Sequence, residues 1–527
     1  MLETVSSFLE QSPMLALFAA IGLGYALGQL SIGGFSLGVG AVLFAGLALG
    51  AIAPKCAPPG MVSSIGLVMF LYGIGIQYGK QFFAGLSGSG LKWNLLAAAG
   101  VLGSLAVALV LGGVYGVRPA YSMGLFAGSL TSTPTLQAAI DATGSGDPAI
   151  GYSVSYPLGV IGPILCLFAF TRLLSLRLTP ATAELRHLEI TLEQWSGGTV
   201  SDLIAGLPSG VNLISVRQGN SNALPDPKVR LAAGDAVMVV GLPAPLEEAR
   251  RALGRVDPGR ITKDRAALDM VRVFVSRPSA VGLPLGRVRL PDGIVGRIVE
   301  VRRGDSLLFP DPDLVLEYGD RVGVIAPHEA FPGLRKHFGD SIRSTAEFSY
   351  VSVGLGMSLG VLLGLVQIPI PGIGSFSMGF AGGPLVVALM LGRLGRTGPM
   401  SWHIPFSANL TLRNFGLTLF LASVGLGAGA PFAETVSSTG FLFLGIGTAI
   451  LLGGVLTVML IGHYLLKMSS DDLFGVVAGT TGNPAIVVYA NRTVHSDRVD
   501  LAYASIYPSM TILKILLVQV TIGLFGR

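Results

Sequence analysis

The residues of this 527-residue chain best placed to do chemistry are small hydroxyls, glycines and prolines set inside apolar sequence. Gly128 to Ala139 reads GSLTSTPTLQAA, and Gly479 to Ala490 reads GTTGNPAIVVYA. Such a segment cannot continue an ordinary membrane-spanning helix. Gly and Pro break the backbone ladder, and hydrocarbon tolerates the freed N–H and C=O groups only where protein or a watery cavity surrounds them. Where a helix restarts after the break, its free N–H groups and positive dipole end attract anions, carboxylates in particular. The candidate substrate-binding residues are therefore Thr131, Ser132, Thr133 and Pro134 in one segment and Thr480, Thr481, Gly482, Asn483 and Pro484 in the other. Lys514 joins them, because it stands in the middle of the last apolar run, YPSMTILKILLVQV, where an ionisable group is costly and marks a functional site. As a cation it can pair with a substrate carboxylate or occupy the place that a coupling cation holds elsewhere.

Other chemistry finds little support. There is no Gly-x-Ser-x-Gly elbow and no Walker loop, and the six histidines are dispersed, so no catalytic residue, metal site or cofactor is expected. The two cysteines, Cys56 and Cys166, are far apart and lack metal-type spacing. Acidic residues stay at the edges of the apolar runs (Asp141, Asp147, Glu434, Asp471, Asp472), which counts against a cation/proton antiporter with a buried carboxylate. No TVGYG-like filter supports a potassium channel. The net charge of +5 comes from Lys and Arg scattered through a central polar block and the edge loops, so nucleic acid is not an expected partner.

The elements that must carry these residues are membrane spans. The chain is 51% hydrophobic and only 12% charged, with mean hydropathy +0.67, well below the roughly 25% charge of soluble chains. Runs of spanning length fall near 13–30, 35–53, 61–79, 93–116 and 148–172, and again near 348–368, 376–394, 414–430, 440–466 and 499–525. The two sets are copies. Pro134 and Pro484 differ by 350, as do Gly66 and Gly416, Phe70 and Phe420, and Gly79 and Gly429, while YSVSYP at Tyr152 matches YASIYP at Tyr503. FSLG at Phe35 also resembles FSMG at Phe376. The third spans, Gly66 to Gly79 and Gly416 to Gly429, are glycine-striped for close packing, with Gln77 and Tyr78 in one copy where the other has Gly427 and Ala428.

If each broken segment is a re-entrant hairpin (about 120–143 and 472–493), each half crosses five times. Lys80, Lys92, Arg172, Arg177, Arg393, Arg396, Arg413, Lys467, Arg492 and Arg498 then share one side, against Lys55, Arg118 and Arg527 on the other. That places both termini outside and the central block in the cytoplasm. An odd number of crossings makes the repeat inverted, so the hairpins enter from opposite faces and meet near the midplane.

The central block changes to short alternating strands and repeats within itself. Val216 to Gly241 aligns with Val301 to Ala326, with Pro225 and Pro310, Gly234 and Gly319, and Asp235 and Asp320 each 85 apart. Each copy reads strand, hairpin, Pro-Asp-Pro turn, strand, Gly-Asp turn, strand, helix, which predicts two tandem α+β modules. They resemble the C-terminal ligand-binding module of RCK regulatory domains, without the dinucleotide-binding half. The resemblance implies small-molecule sensing or dimerisation.

With these modules between two inverted halves, a glycine-rich third span, and the GSLTSTPT and GTTGNPA segments, the chain resembles the aspartate:alanine exchanger family of bacterial secondary transporters. The expected fold is a polytopic α-helical membrane protein of two inverted repeats, each of about five crossings plus one re-entrant hairpin. The expected domains are 1–178 (first membrane half), 179–262 and 263–346 (the two modules) and 347–527 (second half). The resemblance implies an inner-membrane antiporter of amino acids or dicarboxylates, with members that exchange aspartate for alanine and others that export succinate. It also implies a homodimer in lipid, an elevator-type movement and a possible effector at the modules. The competing readings are a ligand-gated channel, a cation/proton antiporter and a membrane sensor. Thr480 and Asn483 stand where the first segment has Leu130 and Thr133, so the site is expected to be asymmetric.

Overall fold

The computed structural model describes residues 2–30, 38–173, 186–340, 349–483, 486–490 and 497–525, apart from 265, 278, 292, 304–305, 309, 318, 371–373, 399 and 488. Pro484, Phe35, Arg177, Arg492 and Arg527 lie outside the described residues, as do the boundaries expected at 178/179 and 346/347. The chain forms two compact units: Met1–Thr182 with Tyr350–Trp402 and Asn409–Arg527, and Ala183–Ser349 with His403–Ala408.

The first half of the larger unit holds α1 (Leu2–Gln11), α2 (Pro13–Gly28), α3 (Ala41–Ile52), α4 (Gly60–Gly85), α5 (Gly88–Val114), α6 (Pro119–Ser129), α7 (Thr133–Thr143) and α8 (Asp147–Leu173). Proline sits in the first turn of α2, α6 and α7, where its missing N–H costs nothing and its fixed φ suits a helix start. The smaller unit contributes α9 (Val200–Gly206), α10 (Pro243–Leu253) and α11 (Phe331–Phe338). The second half then holds α12 (Tyr350–Leu365), α13 (Gly379–Leu394), α14 (Phe406–Leu460), α15 (Ser470–Thr481) and α16 (Asp497–Phe525). Among the described residues five helices are long and apolar enough to cross a membrane, and four shorter ones are equally apolar. The protein is an integral membrane protein.

The copies differ at one joint. Gly85-Leu86-Ser87-Gly88 ends α4 and starts α5, with Gly88 at φ +57. The equivalent residues Thr435-Val436-Ser437-Ser438 have no glycine for that left-handed turn, so α14 runs on as one 55-residue helix. The stretches 414–430 and 440–466 were expected as separate spans, but α14 joins them without a loop, passing Pro431 as far as Leu460. Hydroxyls of Thr435, Ser437, Ser438 and Thr439 donate to carbonyls one turn back and keep this exposed stretch bonded.

The two halves pack about a pseudo-two-fold axis marked by the third spans. A Cβ on Gly66 would meet the Gly416 carbonyl at 2.5 Å, and one on Gly416 would meet the Gly66 carbonyl at 2.5 Å. Farther along α4, Gly73 lies against Asn409 and Arg413, which precede Gly416. The third spans are therefore antiparallel. The same exchange recurs deeper in the fold, where Ser104 Oγ donates to Ile450 O at 3.0 Å and Gly454 lies against Gly100. Gly75 and Gly79 of α4 pack on α13, while Gly425 and Gly429 pack on α3, so each third span is seated on the other half's second span. Glycines let the backbones approach this closely, which is the use expected of a small-residue stripe in a membrane.

The smaller unit contains β1 (Arg186–Leu192), β2 (Gly198–Thr199), β3 (Val211–Gln218), β4 (Ser221–Ala223), β5 (Arg230–Leu231), β6 (Ala236–Gly241) and β7 (Gly254–Val256). The second module adds β8 (Asp269–Phe274), β9 (Arg297–Arg303), β10 (Ser306–Leu308) and β11 (Arg321–Ala326). The sheet orders β4-β3-β6-β1-β7 and β10-β9-β11-β8 share one antiparallel core, and each carries a register shift where its long hairpin strand meets β6 or β11. The repeated motifs hold turns. In Pro-Asp-Pro, Asp226 accepts from Lys228 N–H and Asp311 from Asp313 N–H, each at 2.9 Å. In Gly-Asp, Gly234 and Gly319 take φ +95 and +85, and the following carboxylate accepts the N–H three residues back.

Candidate functional site

Each broken segment is short. Helices α6 and α7 have 11 residues apiece, about 16 Å each against a hydrocarbon core of about 30 Å, so neither spans alone. Their neighbour α8 fixes the path. Gly124 lies against Pro148, and Gly128 lies against Tyr152 and Ser155, so α6 and α8 run in the same direction. To start α8 at that end, α7 must return to the side from which α6 entered, which makes the pair a hairpin. In the second half Gly475 meets Val499 and Ala502 while Gly479 meets Ile506, so α15 and α16 are parallel in the same way.

The two tips touch. Thr131 Oγ1 donates to the Thr481 carbonyl at 3.0 Å, a bond between residues 350 apart and thus between equivalent points of the repeat. Thr131 holds φ +45, a left-handed conformation unusual for a β-branched residue, and Gly482 closes α15 at φ +85. Lys514 Nζ reaches the same Thr481 carbonyl at 3.5 Å and is only 1% exposed, so it does not snorkel. The other hydroxyls are spent locally: Ser132 on Thr135 at 2.6 Å, Thr133 on the Tyr152 hydroxyl at 3.2 Å, and Thr480 and Thr481 on the carbonyls of Val476 and Val477. Pro134 sits in the first turn of α7, and Asn483 is buried beside Gly482. The structure thus gathers Thr131, Thr481, Gly482 and Lys514 at one point.

Around that point each half places two tyrosines, Tyr152 with Tyr156 and their equivalents Tyr503 with Tyr507, ring centroids 5.2 and 5.3 Å apart. Gly482 packs on Tyr507, and Tyr78 of α4 meets Tyr503 and Tyr507 edge-on at 6.2 and 6.3 Å. Behind Tyr78 stands Arg413, its guanidinium 5.9 Å from the Tyr78 ring and bonded to Gln77 Oε1. Arg413, one of the charges expected near span ends, lies near the start of α14 and faces α4. Asn409 one turn earlier donates to the Gly73 carbonyl at 3.0 Å. The repeat carried a signal for this cluster, since Gln77 and Arg413 correspond to Gly427 and Ser63 and the polar pair belongs to one copy of the joint alone.

At their outer ends, hairpin arm and last helix are clasped by ion pairs with the charges exchanged. Arg118 before α6 pairs with Asp147 of α8 at 3.1 Å, whereas Asp472 of α15 pairs with Arg498 of α16 at 2.6 Å. Asp147 and Arg498 are equivalents, 351 apart. The arginines are well exposed, so each pair contributes about 0.2–1 kcal/mol. Arg118→Asp should set two carboxylates together and lower the unfolding temperature by a few degrees, and adding Asp147→Arg should recover most of the loss. Equal loss in both variants, measured by thermal unfolding in detergent, would remove the clasp.

A family model described as a predicted permease membrane region matches residues 16–171 and 352–523, the two halves that supply the tips, the tyrosines and Lys514. The chain belongs to the aspartate–alanine exchanger family. A TrkA-C domain model, the RCK C-terminal module, matches residues 189–254 and 270–339 between them. An uncharacterized transporter of Geobacter sulfurreducens is 39% identical over 98% of both chains. Uncharacterized transporters of Symbiobacterium thermophilum and Corynebacterium efficiens are 37% and 36% identical, each over 98% of this chain and 99% of its own length. This member of the exchanger family is therefore a membrane transporter with two TrkA-C regulatory modules.

Proposed function

We propose that the protein is a secondary antiporter that exchanges carboxylate-bearing solutes, amino acids such as aspartate and alanine or dicarboxylates such as succinate, across the bacterial inner membrane. One observation carries the reading. Lys514 is buried inside a spanning helix, and its hydrogen-bond partner among the described residues is a neutral carbonyl. A lysine buried without a fixed counter-charge carries its positive charge only at high cost, and an anion that arrives to pair with it removes that cost. It sits where the two hairpin tips meet, beside Thr131, Thr481 and Gly482. Ser132, Thr133, Pro134, Thr480, Asn483 and Pro484 complete the proposed site, the last from sequence alone. Arg413 is added as a second cation near its tyrosine wall.

In this reading both termini face the periplasm, residues 179–346 form the cytoplasmic modules, and two copies assemble as a dimer. The hairpins move with α8 and α16 against the scaffold of third spans, and a small effector at the modules tunes the exchange. Proteoliposomes loaded with aspartate, alanine or succinate test it. Counterflow is expected with at least one carboxylate and none without a counter-substrate. Absence of counterflow with all three defeats the proposal, and current without counter-substrate makes the protein a channel.

A further inference from the structure

Between the two modules lies a cavity of about 250 Å³ whose walls come from both: Ile214, Met238 and Ile261 from the first, Met270, Val299 and Ile325 from the second. The pocket is open to solvent on one side, and an apolar cavity smaller than this takes a benzene-sized guest. The walls hold one orphan. Ser215 Oγ, on a residue only 1% exposed, has no hydrogen-bond partner among the described residues.

The sheet registers explain why. Ser215 faces Met238 across β3 and β6 as Glu300 faces Gly323 across β9 and β11, so Ser215 and Glu300 are equivalents. In the second module Glu300 pairs with Arg272 of β8 at 2.5 Å. In the first, the residue equivalent to Arg272 is Glu189, which instead accepts from the backbone of Ile261 at 2.6 Å and from the Thr262 hydroxyl. Ser215 has thus lost the cross-sheet partner that its copy keeps, and the space a longer side chain would fill is open. The charges at the rim are already engaged: Asp264 by Arg217 at 2.8 Å, Arg272 by Glu300, and Asp269 by the Met270 N–H at 2.8 Å. Burial lowers the pKa of His187 below the usual histidine range, which leaves its imidazole neutral at pH 7.

We propose that this cavity binds a small uncharged, largely apolar molecule bearing one hydrogen-bonding group, and that Ser215 orients it. A charged ligand would enter an apolar space with no free counter-charge, at a desolvation cost that nothing repays. Because each module supplies half of the wall, the bound molecule favours one arrangement of the pair, which is what a regulatory ligand requires.

The test uses the full-length protein in detergent with 2-naphthol, about eleven heavy atoms and neutral at pH 7, and with 2-naphthoate as its charged counterpart. Hydrogen exchange should show added protection concentrated in the lining segments 211–218, 236–241, 261–264, 268–274, 297–303 and 321–326 with 2-naphthol. Ser215→Ala should weaken binding about five- to tenfold, 2-naphthoate should bind at least about a hundredfold more weakly, and Met238→Trp should abolish protection. Three results overturn the proposal: no protection at saturating 2-naphthol, protection unchanged in Met238→Trp, or equal protection by 2-naphthoate. The comparison of the two naphthalenes uses the unaltered protein and holds even if Met238→Trp does not fold.

Discussion

Lys514→Ala should lower apparent affinity for anionic substrate about ten- to a hundredfold, the worth of one charge-assisted hydrogen bond at about 1.5–3 kcal/mol. The volume-keeping Lys514→Met should leave stability unchanged or raise it, since it removes an ionisable group that is 1% exposed and that, among the described residues, has only a carbonyl at 3.5 Å for company. That pairing of effects separates a binding charge from a structural one. A structural lysine would lose both. Lys514→Met keeps the volume and should behave like alanine in affinity and better in thermal unfolding. Counterflow in proteoliposomes over a range of substrate concentrations reads the first effect, and an unchanged apparent affinity would remove Lys514 from the site.

Gly416→Val should prevent assembly of the two halves. Its Cβ would lie 2.5 Å from the Gly66 carbonyl and 2.9 Å from Met69 Cβ and the Phe70 nitrogen, and two of these are backbone atoms that cannot step aside without parting the helices. Overpacking of this kind costs about 1–3 kcal/mol where side chains yield, and more where backbone must move. The expected readout is loss of the monodisperse peak in size-exclusion chromatography. Gly427→Ala, on the same helix, is the control: its nearest neighbour is Ala57 Cβ at 4.0 Å, and it should run like the unaltered protein. A monodisperse Gly416→Val would mean that the third spans do not cross at this point.

Much of the membrane architecture was legible because a duplication leaves arithmetic behind. The offset of 350 that pairs Gly66 with Gly416 is the offset that brings Thr131 Oγ1 to the Thr481 carbonyl, since equivalent residues near a pseudo-two-fold axis meet one another. The strands of the modules were legible for a similar reason, with each Pro-Asp-Pro and Gly-Asp turn fixed by a carboxylate and a backbone N–H a few residues away. The uninterrupted α14 was not. Hydropathy finds two apolar stretches there, but whether a helix breaks between them depends on a left-handed residue, and Ser438 stands where Gly88 turns the first copy. The seat of Arg413 against Gln77 and Tyr78 was not legible either, because distance along the sequence from an apolar run says nothing about which neighbouring helix a side chain meets.

The sequence by itself determined the broken segments, their repetition and the buried lysine, because backbone chemistry and the cost of charge in hydrocarbon are local properties of residues. Only the tertiary structure decided which of the candidate residues converge. It turned the hydroxyls of Thr480 and Thr481 back onto their own helix, sent Thr131 and Lys514 to a single carbonyl, and set Gln77 against Arg413. Hydroxyls have several acceptors within reach along the chain, and packing chooses among them.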